Sequence, residues 1–117
     1  MDERPPFGVE LLRPSDHVAV VELQGEVDIY AAREFEEALS RGIDDGATRV
    51  VIDFAEVTFI DSTALGVVVG GVKSVTARGG TLGIVCREES IRGIFETTRL
   101  DQILGIYGSR AEALADQ

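Results

Sequence analysis

The 117-residue chain is 44% hydrophobic and carries a formal net charge of −10, proportions that suit one compact domain with a core of its own and exclude a disordered chain. The acidic balance repels polyphosphate, so neither nucleic acid nor an anionic membrane surface is expected as a partner. With five Phe, two Tyr and no Trp, the core has to be mainly aliphatic.

Residues 1–6, Met1-Asp2-Glu3-Arg4-Pro5-Pro6, hold no apolar signal core. Pro5-Pro6 and the tail after Ala113 read as frayed ends around a single domain core at about 8–114. A short strand at 8–12 and a longer one at 17–24 flank the turn Arg13-Pro14-Ser15-Asp16, so the pair reads as a hairpin. The period then changes. Apolar residues at 31, 32, 35, 38 and 39 predict an amphipathic helix, with Gly42 and Gly46 bracketing its exit. Val50-Val51-Ile52-Asp53-Phe54 has the character of a strand buried on both faces of a parallel sheet. Helical spacing returns at Leu65, Val68, Val69, Val72, Val75 and Thr76, and Arg78-Gly79-Gly80 supplies a cationic end and a glycine stop. A buried strand at 81–86, a helix at 90–97, a strand at 102–107 and a helix at 109–114 complete the chain.

This order predicts a mixed, largely parallel sheet of about five strands covered by helices. Ligand sites in such folds lie beyond the carboxyl ends of parallel strands, which points to residues 25–30 and 58–66. The longest uninterrupted apolar stretch, 64–72, is far shorter than the ~20 residues a membrane span needs. The lone cysteine, Cys86, lies in an apolar run and reads as core, in keeping with a reducing, cytoplasmic compartment.

Enzymatic chemistry finds no support. The single histidine, His17, opens a strand without the signature of a nucleophilic relay, and no Cys or His pair stands at metal spacing. Neither a GxxxxGK[ST] loop nor a GxGxxG after a strand is present, so no cofactor is expected. Gly70-Gly71 falls inside a helix, where close packing against the sheet is the expected reason for it. Asp53 and the pair Asp44-Asp45 show no second carboxylate facing them, and Glu34, Glu36 and Glu37 form a solvated helix face.

One segment does carry chemistry. Asp61, Ser62 and Thr63 stand together where a buried strand gives way to a helix. Each could cap the helix, but only one residue can be the N-cap, so three in a row exceed what capping requires. A phosphoryl group on Ser62 would add about −1.5 to −2 charges at a helix end that tolerates anions. The fold would stay intact while a largely neutral surface became strongly anionic.

Ile60-Asp61-Ser62-Thr63-Ala64-Leu65-Gly66, within the run 50–66, resembles the phosphorylation segment of the anti-sigma factor antagonists, the STAS-domain proteins. Gly25-Glu26-Val27-Asp28 before a helix resembles the family's other signature, and the likeness extends over about 18–104. The resemblance implies a STAS-like α/β domain in a bacterial partner-switching system. The unphosphorylated protein would bind an anti-sigma factor with serine kinase activity and so free a sigma factor. Phosphorylation at Ser62, or less readily at Thr63, would end that binding, and a phosphoserine phosphatase would restore it. Asp28, Asp61, Thr63 and Gly66 would contribute to the partner contact, with Asp28 and Asp61 beside Ser62 and orienting its hydroxyl.

The chain departs from the pattern at Ala64, at Ala31 where a Thr cap is usual, and at Arg33 where Pro is common; the last two weaken the start of the first helix. A STAS accessory module of a transporter or sensory complex, without phosphoswitching, is the alternative on the same fold. A nucleotide-binding protein and a plain adaptor are the rivals from other classes. Monomer or weak dimer is the expected state, since an edge strand at 8–12 could pair.

Overall fold

The computed structural model describes residues 7–115. The expectation of frayed ends falls largely outside them, but Leu114 and Ala115, within the tail that was expected to fray, belong to a helix.

The hairpin expected at the start is β1 (Gly8–Ser15) against β2 (Val18–Val27), antiparallel, with Leu12 opposite Val20. The register slips between Leu12 and Ser15, where Pro14 has no N–H for the ladder. The following elements alternate: α1 (Ala32–Asp44), β3 (Arg49–Ile60), α2 (Ser62–Ala77), β4 (Thr81–Val85), α3 (Glu89–Thr97), β5 (Gly105–Tyr107) and α4 (Arg110–Ala115). The five strands lie in chain order, β1-β2-β3-β4-β5, and every pair after the hairpin is parallel. This is the mixed, largely parallel sheet that the alternation of periods predicts.

Strand alternation sorts the core. Val50, Ile52 and Phe54 of β3 point to the face covered by α1, α2 and α3, together with Ala19, Val21 and Leu23 of β2 and Leu82, Ile84 and Cys86 at β4. Phe54 packs edge-on against Phe35 of α1, with ring centroids 6.2 Å apart at 85°, and against Phe95 of α3 at 5.6 Å. Val18, Val20, Val51 and Val85 point to the opposite face, where Ala113 of α4 covers them. Both faces of β3 are therefore buried over residues 49–54, as its near-continuous apolar run requires.

The glycine stop after α2 is a Schellman closure. Gly79 adopts φ +78°, its N–H donates to Thr76 O at 3.0 Å, and the Gly80 N–H donates to Val75 O at 2.8 Å. The Gly70-Gly71 pair divides. A Cβ on Gly71 would come within 2.6 Å of Leu39 on α1, which explains that glycine by close helix packing, whereas one on Gly70 would meet nothing.

Strand extents differ from expectation: β1 runs on through Arg13, Pro14 and Ser15 of the expected turn, which leaves the reversal at Asp16 and His17, and β2 runs on to Val27. β3 continues to Ile60, and β5 is confined to three residues because Arg99 turns left-handed (φ 63°) and Leu100–Gln102 forms a 3-10 turn that returns Leu104 to the core. No helix of the described residues is long and apolar enough to cross a membrane.

Burial pushes the Cys86 thiol above its ordinary pKa, because an ionised sulfur would have to be desolvated. Below pH 9 it should resist alkylation in the native protein and react fully in urea. As pH rises through the ordinary thiol range, the unfolded chain ionises before the folded one, so this group lowers stability there. Native labelling as fast as that of the unfolded chain would contradict this burial.

Candidate functional site

β2 and β3 end side by side. Val27 pairs with Ile60 as the last rung of their parallel ladder, so the residues that follow, Asp28 and Asp61, enter neighbouring loops at one edge of the sheet. Each carboxylate serves the backbone first. Asp61 is the N-cap of α2, in extended conformation, and its Oδ1 accepts from Ala64 N at 3.0 Å. Asp28 Oδ1 accepts from Tyr30 N at 3.0 Å and Ala31 N at 3.1 Å, while its carbonyl accepts from Ala31 and Ala32. The start of α1, expected to be weak for want of a Thr cap, is held by Asp28 instead; Ala31 itself provides no side-chain cap.

With Asp61 in the cap, Ser62 becomes the first residue of α2. Ser62 and Thr63 are both exposed, and Gly66 is exposed one turn further on. The structure thus brings Asp28, Asp61, Ser62, Thr63 and Gly66 together at one edge. Asp61→Ala should lower stability by about 1 kcal/mol through loss of the cap, read as a shift in urea midpoint at unchanged slope. No shift would mean that Ser62 or Thr63 can take over the cap.

The same edge carries apolar residues that the sequence reading did not single out. Tyr30 is 84% exposed, Ile29 61% and Phe59 46%; with Ile103 they are the exposed large hydrophobic residues among those described. Phe59 pairs with Glu26, one rung below Val27 and Ile60 and two positions before Asp28 and Asp61. Its exposure follows from irregularities in the β2–β3 ladder, between Glu22 and Gln24 and again between Gly25 and Glu26. These break the two-residue alternation, so Val57 and Ile60 face inward while Thr58 and Phe59 face out.

The last regular rung before the first irregularity corrects the reading of Asp53 as a carboxylate without a facing partner. Asp53 pairs across the ladder with Glu22, and Arg110 of α4 bridges the two. Asp53 Oδ1 accepts from Ala55 N at 2.9 Å within the bulge, while Oδ2 accepts from Arg110 Nη2 at 2.9 Å and Nε at 3.1 Å. The hydrogen bond to Glu22, with that to Asp53, holds the Arg110 guanidinium protonated even more firmly than usual. This cluster lies on the α4 face of the sheet and belongs to the framework.

The family model for the STAS domain matches residues 11–113. The chain belongs to the STAS-domain family. It is 35% identical over 101 residues to the anti-sigma-B factor antagonist of Listeria monocytogenes, covering 86% of this chain and 87% of that protein. Among solved structures, an anti-sigma factor antagonist from Mycobacterium paratuberculosis superposes with a TM-score of 0.84 at 26% identity, covering 94% of this chain and 92% of the other. The Bacillus cell fate determinant SpoIIAA in its phosphorylated form shares the fold, with a TM-score of 0.74 at 21% identity and coverage of 92% and 97%.

Proposed function

We propose that this STAS-domain protein is an anti-sigma factor antagonist whose partner docks on the edge carrying Ser62 and is released when Ser62 is phosphorylated. The observation that carries this reading is the placement of an exposed serine at a helix N-terminus beside an apolar surface that the fold leaves uncovered. Apolar residues exposed together mark a docking surface. Ile29, Tyr30 and Phe59 would supply desolvated contact area, and Ser62 sits where an added charge changes that contact most. The relatives named as anti-sigma factor antagonists support the identity of the partner.

In the forward step an anti-sigma factor with serine kinase activity transfers the γ-phosphoryl group of ATP to Ser62 Oγ. The O–H bond is lost, an O–P bond forms, ADP leaves, and the proton passes to a base on the kinase. A phosphoserine phosphatase reverses the modification by hydrolysis. The helix N-terminus stabilises the phosphate locally, so the modification leaves the fold standing. Glu26, Asp28 and Asp61 already make the edge negative, and the phosphate compounds this for any partner approaching it.

The test is phosphotransfer: incubation with ATP and each candidate anti-sigma kinase from the source genome, with the modified residue located by mass spectrometry. Label on Ser62 that disappears in Ser62→Ala establishes the switch. Absence of label with every kinase, together with partner binding indifferent to Ser62→Asp, would leave a STAS adaptor as the better reading.

A further inference from the structure

The three long helices of the domain all lie on one face of the sheet; the other face is covered by α4, a helix of six residues. Isolated helices that short are unstable in water, so α4 persists only through what holds it to the sheet. Among the described residues, one set of hydrogen bonds closes the start of the helix and two others tie it to the sheet. Ser109 Oγ accepts from Glu112 N at 3.2 Å, and Glu112 Oε2 in turn accepts from Gly108 N at 3.3 Å, closing the start of the helix on itself. Arg110 reaches down to Glu22 and Asp53. At the other end Arg49 Nη2 donates to Ala113 O at 2.8 Å, a cation placed against the carbonyl end of the helix.

The last attachment opposes itself. Arg49 is 6% exposed, and its described hydrogen bonds go to uncharged oxygens: Thr81 Oγ1 at 3.2 Å, Tyr107 Oη at 3.3 Å and Ala113 O. Its Nε is buried with no partner. Docking α4 therefore helps desolvate a guanidinium that gains hydroxyl and carbonyl partners and the face of the Tyr107 ring, 5.6 Å from its centroid, but no anion among the described residues, a cost relieved whenever the helix lifts. Against this stand the clamp by Arg110, whose side chain is about a third exposed, and the packing of Ala113 and Leu114 on Val18, Val20, Val51 and Val85.

We infer that α4 is a detachable strap: it lifts from the sheet as a unit of its own, without unfolding of the helical face, and so uncovers the strip Val18, Val20, Val51 and Val85. Local openings of this kind occur where few attachments oppose them, far below the free energy of global unfolding. Arg110 sets how often the strap opens, because removing it leaves Glu22 and Asp53 facing each other across the ladder without their shared cation.

The experiment compares two buried positions on opposite faces of the full-length protein. Ala113 is fully buried under the strap, and Cys86 is fully buried on the helical face. In Ala113→Cys, the introduced thiol should react with a thiol reagent at a rate insensitive to low urea, while Cys86 reacts only through global, urea-dependent unfolding. Adding Arg110→Ala should raise the first rate about tenfold or more while leaving it insensitive to low urea, and Cys86 should keep its urea-dependent reaction. Hydrogen exchange on the chain without the cysteine substitution guards against an effect of Ala113→Cys itself: amides of α4 should exchange ahead of those of β2 and β3, with little dependence on low urea, both with Arg110 and in Arg110→Ala. If α4 amides exchange only with global, urea-dependent unfolding, or if the thiol introduced at position 113 reacts with the same urea dependence as Cys86, the strap is an integral part of the core and the inference fails.

Discussion

Ser62→Asp should weaken binding to the cognate anti-sigma factor about a hundredfold, while Ser62→Ala should bind within a fewfold of the unsubstituted protein. The estimate rests on a loss of about 3 kcal/mol when a charge is left unpaired in a docked, largely apolar surface. The position of Ser62 makes the result easy to distinguish from damage. As the first residue of α2, capped by Asp61, it lies where the helix dipole favours an acidic side chain by roughly 0.3–1 kcal/mol. Adjacent Asp61 reduces that gain without reversing the argument. Binding should therefore collapse while thermal stability holds. Titration calorimetry beside a melting curve reads both. Equal affinities for the Ala and Asp variants would place Ser62 outside the contact and reduce it to a bystander of the Asp61 cap.

Phe54→Ala should cost about 3–5 kcal/mol, the range for emptying a buried aromatic site. Phe54 is 2% exposed and links the two helices on either side of it, touching Phe35 from α1 and Phe95 from α3. Because it stands between them, neither ring can move into the gap without leaving its own packing against the sheet. For a chain of this size, the loss corresponds to a fall in Tm of about 10–20 °C. Domains of this kind are stable by about 5–15 kcal/mol, so the variant would be marginal. A cost below about 1 kcal/mol would mean that α1 and α3 can close over the cavity.

The helices and most strands were legible because their periods are clean: Phe35, Ala38 and Leu39 repeat at helical spacing, and 50–54 is an unbroken buried strand. Asp61, Ser62 and Thr63 stood out for the same reason, as polar residues at a strand-to-helix boundary. What escaped depends on register. The shifts in the β2–β3 ladder move Phe59 outward, and no alternation pattern read along one strand reveals a bulge set by its neighbour. Ile29 and Tyr30 fall within the segment 25–30 that the strand order points to, but their exposure follows from the loop that Asp28 closes under them. The bridge from Arg110 to Glu22 and Asp53 joins residues 88 and 57 positions apart, a separation that local pattern cannot span.

The strand order has a kinetic consequence. Each strand of the sheet pairs only with its neighbours in the chain, so no strand has to be threaded between two that have already met. The largest loop closed at any step is a single crossover helix, and loop-closure entropy rises only slowly with length. The sheet can nucleate on the β2-α1-β3 unit, which carries its most extensive pairing, and grow outward toward both edges. Folding should therefore follow the moderate rates of mixed α/β domains rather than the slow rates of topologies dominated by distant strand pairing.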